Sequence, residues 1–372
     1  MRLIPIDRVR PNTVLGKTVY DWGGKVLLRA GVVLKQNTIN KIREIGISSI
    51  YIVDKYSREE IEDVIKPEIR QKTITLVKEA FSTIQRLEPE NKIKNEENDY
   101  TWQEESYFYN IGKMVEDIMT DILRKEELVL ALVDIRSNND YIYAHSVNVA
   151  VISLMIGIAF KLPKKRLEAL CIGALLHDIG KAYLPKEIIN KKGKLTETEQ
   201  NIMNAHPRLG YKYLSSTYNV SALSKIIVLQ HHENIDGTGY PDCLKRDKIM
   251  DLSAIVSIAN VYDNLSTNTN GREAMFPSDI LEYLMSNAER KFDYNMVNVF
   301  CRIVIPFPRG TLVELSTGEI AVVEKTIPNF PLRPIVKIIN SKRSSRENMI
   351  IDLITELSIV CLLYTSPSPR DA

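Results

Sequence analysis

Five histidines occur in the chain, His145, His177, His206, His231 and His232, and all lie between positions 145 and 232. Imidazole nitrogen and carboxylate oxygen are the donors that suit zinc, manganese or iron. In LLHDIGK, His177 and Asp178 stand together where an apolar run meets Gly180, and Lys181 follows the histidine by four. One turn there would present a nitrogen ligand, a carboxylate able to bridge two ions, and a cation. QHHE adds His231 and His232, YIYAHSVNVA and NAHPRLG add His145 and His206, and Asp263 in IANVYDNL closes the set. Seven donors exceed the needs of one tetrahedral or octahedral ion. They match two ions that share one carboxylate and keep positions open for water. Singly, each histidine reads as readily as a core or surface residue, and a bare HD pair recurs by chance; the clustering is what points to a metal centre.

Donors from such distant positions need a scaffold that brings them together, and the periodicity supplies a helical one. Apolar residues recur at helical spacing from YFYNIGKMVEDI almost to residue 300. The predicted fold is mainly α, an all-helical domain over 126–300. A small mixed strand and helix module precedes it over 1–60. There KTVY and KVLLRAGVVL read as two strands around the turn DWGG, QNTINKIREIG as a helix, and ISSIYIV as a strand. Residues 61–125 read as a helical linker with a polar loop at 88–106. TLVEL, IAVVEK and RPIVKII predict a short β appendage over 301–345, followed by a tail over 346–372. The last dozen residues, CLLYTSPSPRDA, carry Ser-Pro repeats unlike the rest, resemble translated adaptor sequence, and are excluded from the expected fold.

Composition narrows the function classes. With 49 basic and 47 acidic residues the net charge is +2, which argues against a nucleic-acid polymer or an anionic membrane as partner. Cys171, Cys243, Cys301 and Cys361 are widely spaced, with no CxxC pair, so neither a disulfide framework nor a cysteine-rich zinc module is expected. MRLIPIDRVRPN lacks the apolar core of a signal peptide, and VAVISLMIGIAF is too short to span a bilayer. These features predict a cytoplasmic protein. The long helices on either side of residue 100 could pair in a homodimer stalk.

The ordered motifs, a histidine before serine, HDxGK, histidine before proline, HHE, DGxGYP and a final aspartate, resemble the HD-GYP family, metal-dependent phosphodiesterases that hydrolyse cyclic di-GMP. The resemblance covers about 126–300, and looser likenesses to flanking modules run through VLGKTVYDWGGKVLLRAGVVL and PFPRGTLVELSTGE. It implies two divalent ions, iron or manganese, held by His145, His177, Asp178, His206, His231, His232 and Asp263, with Asp178 bridging. It implies a water activated between the ions as nucleophile, the linear dinucleotide pGpG as product, and GMP after a second cut. Lys181 and Arg272 would meet the phosphate, and Gly239, Tyr240 and Pro241 the nucleotide, Tyr240 through base stacking; without the resemblance, DGTGYP reads as a turn. The chain departs from the family pattern at Tyr141, where some members carry a glutamate for a third metal, and at Asn260, Thr269, Gly271 and Met275, positions that bear on substrate preference. The alternatives are a phosphohydrolase for another substrate, either a cyclic dinucleotide such as cyclic GMP-AMP or a nucleotide monophosphate, and a receptor that binds the dinucleotide without cutting it.

Overall fold

The computed structural model describes residues 1–20, 26–45, 47, 49–53, 64–86, 101–124, 141–191, 193–267, 274–327, 329–340 and 346–363. The expected turn at 21–24, the first part of the polar loop at 88–106, Thr269, Gly271 and Arg272, and the chain from 364 lie outside these residues.

The first module is a four-stranded antiparallel sheet with one helix. Strands β1 (Arg2–Pro5), β2 (Thr13–Leu15), β5 (Val33–Leu34) and β6 (Ser49–Val53) lie in the order β1-β6-β2-β5, while β3 (Val19–Tyr20) and β4 (Val26–Leu28) form a separate pair. The run KVLLRAGVVL, predicted as one strand, is therefore two. Gly31 breaks it at φ +84, a backbone conformation that glycine adopts without steric cost. Helix α1 (Gln36–Glu44) packs Ile39 and Ile42 into a core with Leu15, Leu34 and Ile50.

Helices α2 (Pro67–Arg86), α3 (Thr101–Leu123), α4 (Tyr141–Ala159), α5 (Lys164–Leu176), α6 (Lys186–Ile189), α7 (Glu197–Met203), α8 (His206–Ser215), α9 (Ala222–Gln230), α10 (Asp251–Leu265), α11 (Pro277–Ser286) and α12 (Tyr294–Ile303) follow, with a 3-10 turn at Ile179–Tyr183. The central member is α4, buried without interruption from His145 to Gly157 and packed by α2, α3, α5, α10 and α12. A helix apolar on every side must be covered on every side. Among the described residues α4 alone is long and apolar enough to cross a membrane, and most of it is buried inside the protein.

Helix α3 begins inside the stretch expected as a loop. Once the amphipathic residues after it are helical, each further residue adds a hydrogen bond for little extra ordering cost, so polar residues can prolong the helix. The segment expected as a linker also joins the main core, through Val77, Phe81, Ile111 and Ile118. Helices α2 and α3 pack on each other and on neighbouring helices within the chain, while Tyr109 and Leu123 of α3 stay exposed.

The C-terminal strands β7 (Leu312–Leu315), β8 (Ile320–Lys325), β9 (Ile335–Asn340), β10 (Ile350–Asp352) and β11 (Cys361–Leu363) form an antiparallel sheet in the order β10-β9-β8-β7-β11. The first three match the expectation. β10 and β11 correct it, because both come from the segment assigned to a tail. Cys361 pairs with Leu315 and Leu363 with Val313, while Ile351, Leu353, Ile359 and Cys361 enter the core of the sheet. Three-residue strands show too little alternation to be read as strands.

Candidate metal centre

Helix ends position most of the donors. The last carbonyls of a helix have no partner within it, and three histidines use them. His177 follows α5 and its Nδ1 lies 2.7 Å from the Ala174 carbonyl. His231 follows α9, with Nδ1 2.9 Å from the Val228 carbonyl. His206 opens α8, and its Nδ1 is 2.7 Å from the Met203 carbonyl at the end of α7. Only a protonated Nδ1 can donate to a carbonyl, so in each neutral ring Nε2 carries a lone pair and faces inward.

Close backbone approaches bring these ends together. One turn before His177, a Cβ on Gly173 would lie 2.6 Å from Ile227, itself one turn before His231. The two imidazoles consequently meet edge to face at 4.9 Å. A Cβ on Gly180 would fall 1.9 Å from the His206 carbonyl oxygen and 2.6 Å from the Gly210 nitrogen. Glycine is required there to press the Asp178 turn against the start of α8.

At the centre Asp178 divides its carboxylate between two groups of donors. Oδ1 lies 3.2 Å from His206 Nε2 and 3.8 Å from His231 Nε2; Oδ2 lies 3.4 Å from His177 Nε2 and 3.8 Å from His145 Nε2. Asp178, His206, His231 and His232 can bring one ligand atom each within 4.8 Å of one another, and so can His145, His177 and Asp178. The Nε2 atoms of His145 and His177 and Oδ1 of Asp178 are buried with no hydrogen-bond partner, and His206 Nε2 faces His231 Nε2 at 3.3 Å. Buried lone pairs aimed at one another are costly without a cation between them. The donor set thus fits divalent metal ions.

Asp263, the seventh expected ligand, lies in neither group. Its Oδ2 is 2.7 Å from His145 Nδ1, and its Oδ1 accepts from Asn148 Nδ2 at 3.0 Å. That contact sets Asp263 on the Nδ1 side of His145, whose Nε2 lies 3.8 Å from Asp178 Oδ2, and carboxylate–histidine pairs of this kind are common at metal sites. Lys181 Nζ donates to Asp178 Oδ2 at 2.6 Å and remains partly exposed.

Tyr240 stacks on His232 with centroids 4.5 Å apart and planes 21° apart, so one ring face is engaged by the protein. Gly239 fits because a Cβ would meet the backbone at Asn234, Glu233 and His232 within 2.5 Å; Pro241 follows in a cis peptide with Tyr240. Of the departures, Tyr141 donates to Asn264 Oδ1 at 2.9 Å, Asn260 accepts from Asn264 Nδ2 at 2.7 Å, and Met275 packs on the core.

Two supporting residues escaped the sequence reading. Buried Glu233 accepts from the Asp242 and Leu244 N–H groups at 2.7 and 2.8 Å, pinning the loop that carries Tyr240; its place after the histidine pair was the available signal. Asn148 lies three residues after His145, and helical spacing alone puts it on the same face.

Burial pushes the His177 imidazole down to about 4, and burial together with neighbouring histidines holds His231 and His232 well below the usual range. Burial also raises the Asp178 carboxyl, but Lys181, His177 and His206 outweigh it and hold the group well below the usual carboxylate range. His177, His231 and His232 are therefore neutral imidazoles near an ionised carboxylate at neutral pH, the forms that bind metal. Between 6.5 and about 4 the unfolded chain protonates at His177 while the folded chain does not, so stability is lost as pH falls through that interval. Each such histidine removes about 1.4 kcal/mol per pH unit. The midpoint of the chelator-treated protein is expected to drop markedly between pH 7 and pH 5; a flat calorimetric profile would contradict the neutral cluster.

The HD domain family model matches residues 131–296, and the model of the KOW domain associated with HD domain matches 312–364. A cyclic di-GMP phosphodiesterase of Pseudomonas aeruginosa is 35% identical over 233 residues, 62% of this chain and 56% of that protein. A cyclic di-GMP phosphodiesterase of Borreliella burgdorferi is 32% identical over 52% of this chain and 51% of its own. A 3′3′-cGAMP-specific phosphodiesterase of Vibrio cholerae is 32% identical over 52% of this chain and 38% of its own. The chain spans about half the length of the first two of these relatives. The HD motif at the meeting point of both donor groups and the GYP loop stacked on His232 both lie within residues 131–296, the part of the chain that matches the HD domain family model.

Proposed function

We propose that the protein hydrolyses the phosphodiester bonds of cyclic di-GMP, giving the linear dinucleotide pGpG and, after a second cut, GMP. The observation that carries this reading is the division of Asp178 between two sets of inward-facing imidazoles. The relatives named as cyclic di-GMP phosphodiesterases support the substrate class. When bound, a pair of divalent ions, iron or manganese, supplies charge neutralisation at the phosphate and a water acidic enough to attack at neutral pH.

The chain's own groups do the rest. His145 and His177 would hold one ion and His206, His231 and His232 the other, with Asp178 shared. Asp263 supports this by keeping His145 in the tautomer that coordinates. Lys181 offers a cation on the exposed side of Asp178, where it can take up charge on a non-bridging phosphate oxygen. Arg272 is proposed as a second phosphate contact. Tyr240, with Gly239 and Pro241, forms a wall beside His232 against which a base can lie.

The test is turnover by protein purified without oxygen and loaded with Mn²⁺ or Fe²⁺. Appearance of pGpG is the expected result, and intact cyclic di-GMP after prolonged incubation in either metal would overturn the reading. The likeness to the 3′3′-cGAMP-specific enzyme makes cyclic GMP-AMP the competitor to include. Faster cleavage of that compound would reassign the substrate. Metal binding with nucleotide binding and no cleavage would identify a receptor.

A further inference from the structure

Asp263 is completely buried, and its support extends beyond Asn148. Asn148 is wholly buried on α4, and its amide oxygen accepts from Arg70 Nη1, on the first turns of α2. That end of α2 is anchored. The Lys66 N–H donates to Asp121 Oδ2 of α3 at 2.7 Å, and Arg70 N–H donates to the Lys66 carbonyl. A continuous line of hydrogen bonds thus runs from Arg70 through Asn148 and Asp263 to His145, and its first member lies outside the residues 131–296 that make up the HD domain.

An amide has a donor end and an acceptor end, and reversing Asn148 would turn its oxygen toward a buried carboxylate. A guanidinium has donors only, so Arg70 selects the oxygen and leaves the NH₂ for Asp263. The carboxylate is then held on Nδ1 of His145, and Nε2 is left for the centre. We propose that Arg70 and Asn148 are positioning residues of the metal centre, so that the half of the site built on His145 and His177 is completed by a helix outside the HD domain. The proposal rests on the functional reading only in taking that half as one of two metal positions.

Titration of metal-free protein with Mn²⁺, read by calorimetry and electron paramagnetic resonance, tests it without substrate. In Arg70→Met one of the two binding events should weaken by about 10- to 100-fold, the usual cost of losing an outer partner, while the other keeps its affinity. Arg70→Lys should recover most of the loss. Where Arg70→Met does not fold, Arg70→Gln, with a shorter donor, should show the same selective weakening. In the metal-free protein the Nδ1 proton of His145 should give a downfield resonance that Arg70→Met shifts or loses. Wild-type affinity at both positions together with an unchanged resonance would overturn the proposal and leave the functional reading intact. Two normal Mn²⁺ sites in a wild type that cleaves no cyclic dinucleotide would do the reverse. If the wild type binds no Mn²⁺, the resonance alone decides.

Discussion

Asp178→Asn is expected to leave a folded protein that takes up neither ion and has lost at least about a thousandfold in turnover. The substitution keeps the shape and removes the carboxylate that, among the described residues, both donor groups share. The amide would keep its oxygen where Lys181 donates and place its N–H donors toward His206 and His231 Nε2, which now lie 3.2 and 3.8 Å from Oδ1. The lone pairs of that donor group would then be partly satisfied without a metal, and the attraction for a cation would weaken with loss of the negative charge. Lys181, which donates to Asp178 Oδ2, is partly exposed and can return to water. The wild type and the variant should therefore unfold at similar temperatures in chelator, while Mn²⁺ should raise the midpoint of the wild type alone. Two-ion binding at wild-type affinity in the variant would show that Asp178 is not the shared ligand.

Gly180→Ala is the second large effect, and it acts through backbone. The added carbon would sit 1.9 Å from the His206 carbonyl oxygen and 2.6 Å from the Gly210 nitrogen. Neither obstacle is the end of a flexible side chain, so α8 must move away from the Ile179–Tyr183 turn. The expected destabilisation is about 3 kcal/mol, at the upper end of overpacking costs, or roughly 6 to 12 °C in the midpoint for a cooperative unit of this size. Displacing α8 also carries His206 away from Asp178, so the group that includes His231 and His232 should lose metal affinity first. Gly112→Ala on α3 is the control. Nothing lies within 4 Å of its Cβ position, and alanine in a helix interior should add up to about 1 kcal/mol of stability. Equal midpoints for the two variants would show that the Gly180 approach is not tight.

The residues of the centre were legible because chemistry is written in residue type. Five histidines gathered around an HD pair need no coordinates to suggest a metal, and helical periodicity over the same span foretells the kind of scaffold. The broken strand at Gly31 and the late strands β10 and β11 were not legible, because very short elements carry no period and owe their form to the partners they pair with.

Residue identity also could not divide the donors into roles. Asp263 and Asp178 are equally good ligands by type. One lies between two sets of nitrogens and the other behind His145 only because α10 and the turn after α5 approach α4 from different sides. Tyr240 is likewise an aromatic face in the sequence, and folding commits one side of it to His232. Arg70 lies far from every motif, and nothing in its own surroundings marks it. Its place beside Asn148 comes from the packing of α2 on α4, a long-range contact that depends on side-chain fit and not on local pattern. The sequence by itself determined the donor types and the helical frame. Which donors face one another, which carboxylate lies between both sets and which helix reaches Asn148 were decided by tertiary packing, because direction and distance exist only after the chain has folded.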